Sequence, residues 1–200
     1  MTAISAKDVA ELRKRTGAGM MECKKALVEN GGDFEKATDW LRARGIAKSE
    51  KRAEKAASEG LVESYIHHNG KVGVLVELNC ETDFVARTDD FRGLAKEVAM
   101  HVAFANPLAV SAEDVDPAVV ERERNVYREQ VAQEGKPEAI RAKIVEGKLK
   151  KFYSESVLLE QPWVKDDKQT VGDLVKAVSG KLGEKVVVKR FIRVQLGGAV

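Results

Sequence analysis

Aromatic side chains are scarce in this sequence, at 6% of 200 residues. That leaves little material for the stacking platforms on which single-stranded nucleic acids are held. A surplus of one charge is missing as well. A third of the residues are charged, yet 34 Lys and Arg stand against 32 Asp and Glu, a formal net charge of +2. A dedicated nucleic-acid binder carries a marked basic excess on one face, so no direct nucleic-acid partner is expected. There are two cysteines, Cys23 and Cys80, far apart and outside any Cys-x-x-Cys pair, so no disulfide framework is implied. No uninterrupted apolar run approaches membrane-spanning length. Met1 to Lys7 has no basic start followed by an apolar stretch. The expectation is a chain with no signal peptide and no membrane partner, in a reducing cytoplasm.

Sites for bond-making chemistry are missing too. Ser179-Gly180-Lys181-Leu182 lacks the first glycine and the hydroxyl of a phosphate-binding loop. Neither Gly-x-Gly-x-x-Gly nor Gly-x-Ser-x-Gly occurs. His67-His68 lies beside a tight turn without further ligands near it in sequence, so no metal is expected. No cofactor is implied. An enzyme built on Cys80 with Asp83 would lack a base and an oxyanion device. The pattern is that of a protein made for contact.

What is present is a change of period along the chain. Ser5 with Asp8 marks a helix start resembling a capping box, with Asp in place of Glu or Gln. This first helix runs to about Arg15, burying Val9 and Leu12, and Thr16-Gly17-Ala18-Gly19 breaks it. A second runs from Met20 to Glu29. A third, capped by Asp33, runs from Phe34 to Arg44 with Phe34, Ala37, Trp40 and Leu41 in helical phase, and Gly45 is read as its terminator. Residues 1–47 thus form a three-helix module, and 48–59 a charged, alanine-rich linker, helical or flexible. Met20 and Met21 point about 100° apart on their helix, so both cannot sit centrally in one small core. Core filling is the usual role of a single methionine, but this pair after a glycine loop leans towards a contact surface.

Residues 60–200 read as an α+β core. Leu61 to His67 and Val72 to Leu78 alternate around Asn69-Gly70, a hairpin signal. A helix from Asp90 to about Phe104 lines Phe91, Leu94, Ala95, Val98, Ala99 and Val102 on one face. Met100 and Phe104 fall opposite, and His101 sits at the stripe's edge, either a packed imidazole or a partner contact. Two charged helices, Pro117 to Glu134 and Glu138 to Tyr153, share a narrow seam. Its expected members are Val120, Val126, Tyr127 and Val131 on the first, with Ile140, Ile144, Leu149 and Phe152 on the second. They are read as a projecting antiparallel helical hairpin at about 113–153. Thr170 caps a short helix with Val171, Leu174, Val175 and Val178 inward, and Lys185 to Gln195 forms a strand with Val186, Val188, Ile192 and Val194 on one face. The fold class is therefore α+β, a small, mostly antiparallel sheet with helices on one face.

The stretch around which these elements are arranged is Asn79-Cys80-Glu81-Thr82-Asp83-Phe84-Val85-Ala86-Arg87. It joins a strand end to a helix beginning at Thr88-Asp89-Asp90. Phe84 on such a connection is either presented to a partner or folded back as a plug under its own helix.

Two segments together carry a resemblance. Leu12 to Leu27 (LRKRTGAGMMECKKAL) and TDFVAR at Thr82 to Arg87 are similar to two signatures of the bacterial elongation factor Ts family. AMHVA at Ala99 to Ala103, GKPEAI at Gly135 to Ile140 and EGKLKKF at Glu146 to Phe152 follow in the family's order. The resemblance implies a guanine-nucleotide exchange factor for the GTPase elongation factor Tu, with a ubiquitin-associated-like N-terminal module. By matched position, Arg13, Met20 and Met21 would contact the GTPase. Thr82, Asp83, Phe84 and Val85 would enter near its magnesium site, with Phe84 as a wedge, and His101 would help hold that region. The helical hairpin would touch the GTPase too. Longer members carry two copies of the sheet unit. One copy is evident here, so a homodimer is expected. A competing reading is a ubiquitin-associated-like adaptor for peptides or nascent chains, which would have no need of TDFVAR.

Overall fold

The computed structural model describes residues 4–50, 55–133 and 137–198. Eight α-helices and five strands occur among them, an α+β protein with a small antiparallel sheet. The chain divides into two compact units. One comprises Met1–Leu61, Asn79–Leu94 and Val175–Val187, the other Val62–Leu78, Ala95–Leu174 and Val188–Val200.

In the first unit, α1 (Ala6–Thr16), α2 (Met20–Glu29) and α3 (Phe34–Glu50) surround one apolar cluster. The Ser5 hydroxyl accepts from the Asp8 amide and the Asp8 carboxylate accepts from the Ser5 amide, a reciprocal cap as the sequence predicts. Gly17 adopts φ +67° and its amide donates to the Arg13 carbonyl, closing α1. Val9, Leu12, Cys23, Ala26, Leu27 and Ala37 are buried together. Each fully buried leucine there contributes about 1.5–3 kcal/mol. Asp33 Oδ1 accepts from the amides of Glu35 and Lys36, starting α3.

The expected end of α3 at Arg44 is corrected, because the helix continues through Gly45 to Glu50. The Gly45 backbone is met there by Gly180. A Cβ on Gly180 would lie 2.4 Å from the Gly45 carbonyl oxygen and 2.5 Å from its Cα. Two helix backbones meet there with no side chain between them. Of the expected linker, residues 51–54 lie outside the described residues.

Strands β1 (Glu59–Ile66), β2 (Val72–Cys80) and β5 (Val187–Gln195) form a sheet in the order β1-β2-β5. The Asn69-Gly70 turn closes the first pair: Gly70 takes φ +66°, its amide donates to the His67 carbonyl, and the Asn69 side chain accepts from the Lys71 amide. Leu196 N–H meets the Lys71 carbonyl and Arg190 Nε meets Glu77 Oε2, so β5 descends as β2 ascends. That pairing is antiparallel.

Helix α5 (Asp89–Ala105) buries the expected stripe, and Asn106 ends it at φ +48°. The Arg193 guanidinium donates to the Ala103 carbonyl, tying β5 to that helix. Helices α6 (Pro117–Ala132) and α7 (Glu138–Ser156) share a cluster of Val131, Val145 and Leu149, against which Val120, Tyr127 and Ile144 pack. The expected seam needs correction at three of its members: Phe152 packs instead against the cluster of Ala109, Val115 and Val157. Val126 and Ile140 are exposed, and Val145 takes a buried place instead. Helical phase alone placed them a fraction of a turn wrong. Glu134, Gly135 and Lys136, where the first of these helices was expected to end, lie outside the described residues. A two-stranded ribbon, β3 (Pro162–Trp163) with β4 (Asp166–Thr170), was not foreseen. It leads into α8 (Val171–Leu182), capped by Thr170 as expected, and the Asp173 carboxylate accepts from the Thr170 amide in return.

Candidate functional site

Strand β2 delivers the chain to the site. Val74, Val76, Leu78 and Cys80 alternate onto its buried face, fixing register up to the strand end. The connection that follows is itself a single helical turn, α4 (Asp83–Ala86). Thr82 is extended and caps it, its hydroxyl accepting from the Val85 amide. Val85 and Ala86 point inward and are buried, whereas Phe84 stands 77% exposed. The alternative that Phe84 plugs its own helix is therefore excluded. Asp83 does not cap the turn; its carboxylate pairs with Arg87 at 2.7 Å.

A turn of four residues cannot hold itself. What holds this one lies far along the chain, just beyond α8. The Glu184 carboxylate accepts from the Glu81 amide at 3.1 Å, the Thr82 amide at 2.9 Å and the Thr82 hydroxyl at 2.6 Å. Glu81 answers: its carboxylate accepts from the Lys185 amide at 2.7 Å and pairs with Lys55 at 2.8 Å. The Cys80 thiol donates to the Thr82 carbonyl at 3.1 Å. Burial, with the Glu184 charge adding to it, pushes that thiol up to about 11. It is held protonated, the opposite of what a nucleophile needs.

The N-terminal candidates lie on α1 and α2. Arg13 is exposed in the last turn of α1. Met20 and Met21 open α2, 54% and 76% exposed. Val28, exposed seven residues after Met21 and so on its face, extends the apolar strip. Sequence reasoning missed it, although the i, i+7 spacing was readable.

His101 is 1% exposed, so its ring is no surface contact. Nδ1 accepts from the Val164 amide at 3.3 Å, which leaves the proton on Nε2, directed at Gln161 Oε1 3.0 Å away. The Gln161 amide nitrogen donates in turn to the Glu155 carbonyl. Burial lowers the imidazole's pKa, and the Gln161 contact opposes this only in part. His101 braces the 161–164 segment against α5. Thr82 to Val85 thus share one turn in the first unit, with Arg13, Met20 and Met21 on that unit's helices, while His101 belongs to the second unit.

A further surface was not anticipated from sequence. On the sheet's open side, Ile66, Gly73, Leu75, Ile192, Val194 and Leu196 line an apolar groove. Its large side chains are between 47% and 74% exposed. Ile192 and Val194 share alternation with Val186 and Val188, but only the latter two are covered.

Among the described residues, no group of three or more His, Cys, Asp or Glu side chains is disposed to hold a metal, and no helix is long and apolar enough to cross a membrane. The family model described as Elongation factor TS matches residues 7–198. Elongation factor Ts of Nitratidesulfovibrio vulgaris is 60% identical over 195 residues, 98% of either chain. That of Desulforamulus reducens is 55% identical over 197 residues, 98% of this chain and 91% of the relative. That of Fervidobacterium nodosum is 53% identical over 194 residues, 97% and 98%. A match of this extent means that the chain belongs to the bacterial elongation factor Ts family of translation elongation factors.

Proposed function

We propose that the protein is a guanine-nucleotide exchange factor for elongation factor Tu, and that it works by contact alone. The observation that carries this reading is Phe84, a large apolar ring held outward on a turn braced from below and from the side. In the partner, magnesium bridges the nucleotide phosphates to protein and neutralises their charge, so disturbing it removes much of the affinity for GDP. A wedge entering beside that site has only to bind the nucleotide-poor conformation better than the GDP-bound one. Linkage requires that GDP weaken exchange-factor binding by the same factor, and a coupling of about 3 kcal/mol changes affinity on the order of a hundredfold.

In this reading residues 1–47 are a ubiquitin-associated-like module that docks on the GTPase through Arg13, Met20 and Met21. Residues 48–59 are the linker, and 60–200 the core. Thr82, Asp83, Phe84 and Val85 reach the magnesium region, and the helical pair at about 113–153 adds contact. His101 acts by bracing its neighbours, since its ring is enclosed. The open sheet face suits a second copy of the chain. Its groove is apolar, and an isologous pairing would cover it on both copies at once. A monomeric mass at micromolar concentration would remove that part of the reading.

The experiment is release of fluorescent GDP from purified elongation factor Tu, with the wild-type protein and with Phe84→Ala. Acceleration by the wild type that is largely lost in the variant, while binding persists, is the expected result. Equal acceleration by both would move the cause to the N-terminal module. No acceleration by the wild type would overturn the exchange reading in favour of a peptide-binding adaptor acting through the exposed strip on α2.

A further inference from the structure

We infer that Glu184 is the positioning residue of the exchange turn, a role that rests on the reading just proposed. Beyond Cys80 the amides of Glu81 and Thr82 have left the sheet. Both turn instead to one carboxylate, and the Thr82 hydroxyl joins them. All three donors belong to the two residues that immediately precede Asp83 and Phe84. The direction of the Phe84 ring is set by the backbone entering α4, and that backbone is set by Glu184. Phe84 makes no such claim on its own position, being exposed. Val85 and Ala86 anchor the turn from beneath but leave its entry undefined.

Glu184 is itself prepared for the task. Helix α8 ends at Leu182, and Gly183 takes φ +78°, reversing the chain in a left-handed step that other residues resist. The Ser179 hydroxyl, on the last turn of α8, donates to the Glu184 carbonyl at 2.6 Å. The next amide, of Lys185, donates to Glu81, so each strand of the junction holds the other. Three convergent donors on one carboxylate are more than a chance surface contact supplies, and charge-assisted bonds are the strong ones. The hydrogen bonds of Glu184 go to Glu81 and Thr82, not to Phe84. Its effect is on where the ring stands.

Two variants separate geometry from charge. Glutamine can reproduce the pattern, its amide oxygen accepting both backbone amides and its NH2 donating to the Thr82 hydroxyl. Alanine cannot. In the GDP-release assay, Glu184→Ala should lower the maximal rate about tenfold, as a small misplacement of a working group does. The half-saturating concentration should change little, because the α2 contacts that set encounter are intact. Glu184→Gln should restore most of the rate. By amide hydrogen exchange, Glu81 and Thr82 should be less protected in the alanine variant alone. Should Glu184→Ala fail to fold, Glu184→Asp keeps the charge but withdraws the acceptors, and it should lose rate while remaining folded. A folded Glu184→Ala or Glu184→Asp with wild-type rate overturns the proposal, as does equal impairment of Glu184→Ala and Glu184→Gln. With Phe84→Ala alongside, the two levels come apart. No acceleration by the wild type removes the exchange reading and this proposal together. A Phe84-dependent acceleration indifferent to Glu184 removes this proposal alone.

Discussion

Two regions of the molecule leave apolar side chains uncovered, and they do so by opposite means. At α4 a single ring, Phe84, is displayed on four residues of helix that are held by a dense set of polar bonds from Glu184, Glu81 and Thr82. On the open sheet face several aliphatic side chains are displayed side by side, held by the antiparallel ladder and by the Arg190–Glu77 pair. The first arrangement specifies direction and supplies little area. The second supplies area without singling out any direction. A wedge needs the former; a self-complementary interface needs the latter. Exposure alone does not distinguish the two, whereas the support beneath each does.

The strongest way to break this contrast is at its sharpest point. Phe84→Ala should lower the maximal GDP-release rate on the order of a hundredfold. Unfolding free energy should stay within about 0.5 kcal/mol of the wild type, as for other exposed positions. Next comes the sheet face: Ile192→Asp with Val194→Asp should halve the mass seen by light scattering while leaving the Phe84 turn intact. Exchange per folded chain then shows how far the two displays depend on each other.

The support of the turn can be probed through the seat of α8. Gly180→Ala would drive a methyl into the backbone of Gly45 and should cost about 1–3 kcal/mol in chemical denaturation. At Gly45 the nearest atom to an added Cβ is 3.7 Å away, so Gly45→Ala should be neutral or stabilising by up to about 1 kcal/mol.

The unit that bears most of the sheet has a titratable brace of its own. His101 is held neutral in the fold with its pKa lowered from 6.5. The unfolded chain therefore binds the proton first as pH falls. The stability contributed by the neutral ring is complete above 6.5 and is lost as pH drops from there through the lowered folded value. Thermal melts should decline over that window, and His101→Gln should flatten the decline. The smallest effect is expected at Arg87. Its pair with Asp83 is exposed, and Arg87→Ala should change stability by no more than about 0.5 kcal/mol.

Local chemistry was readable wherever partner and signal lie close in sequence. Ser5 with Asp8, Asn69-Gly70, the Thr170 cap and the α5 stripe all behave in the fold as the sequence predicts. Legibility fails where the deciding partner is remote. Gly45 carries the same local signal whether it ends a helix or admits a neighbour, and only Gly180 settles which. Val126 and Ile140 fall outside the seam and Val145 enters it because a narrow seam between two helices depends on their mutual rotation. The strand Asp166–Thr170 has too polar a sequence to announce itself. Of the candidate site, Phe84 was visible from its setting, but nothing near Glu184 marks it, since its meaning lies entirely in Glu81 and Thr82.

The hydroxyl of Thr82 has one proton, and Glu184 can only accept. The proton is thereby committed to the carboxylate, and the hydroxyl's lone pairs are left facing the Val85 amide at 3.5 Å. A one-way relay results, running from Val85 through Thr82 to Glu184. Asp83 and Phe84 are the two residues spanned by its first step. The heading of the ring is thus carried by hydrogen bonds of the residues that precede it, while the ring itself stays exposed.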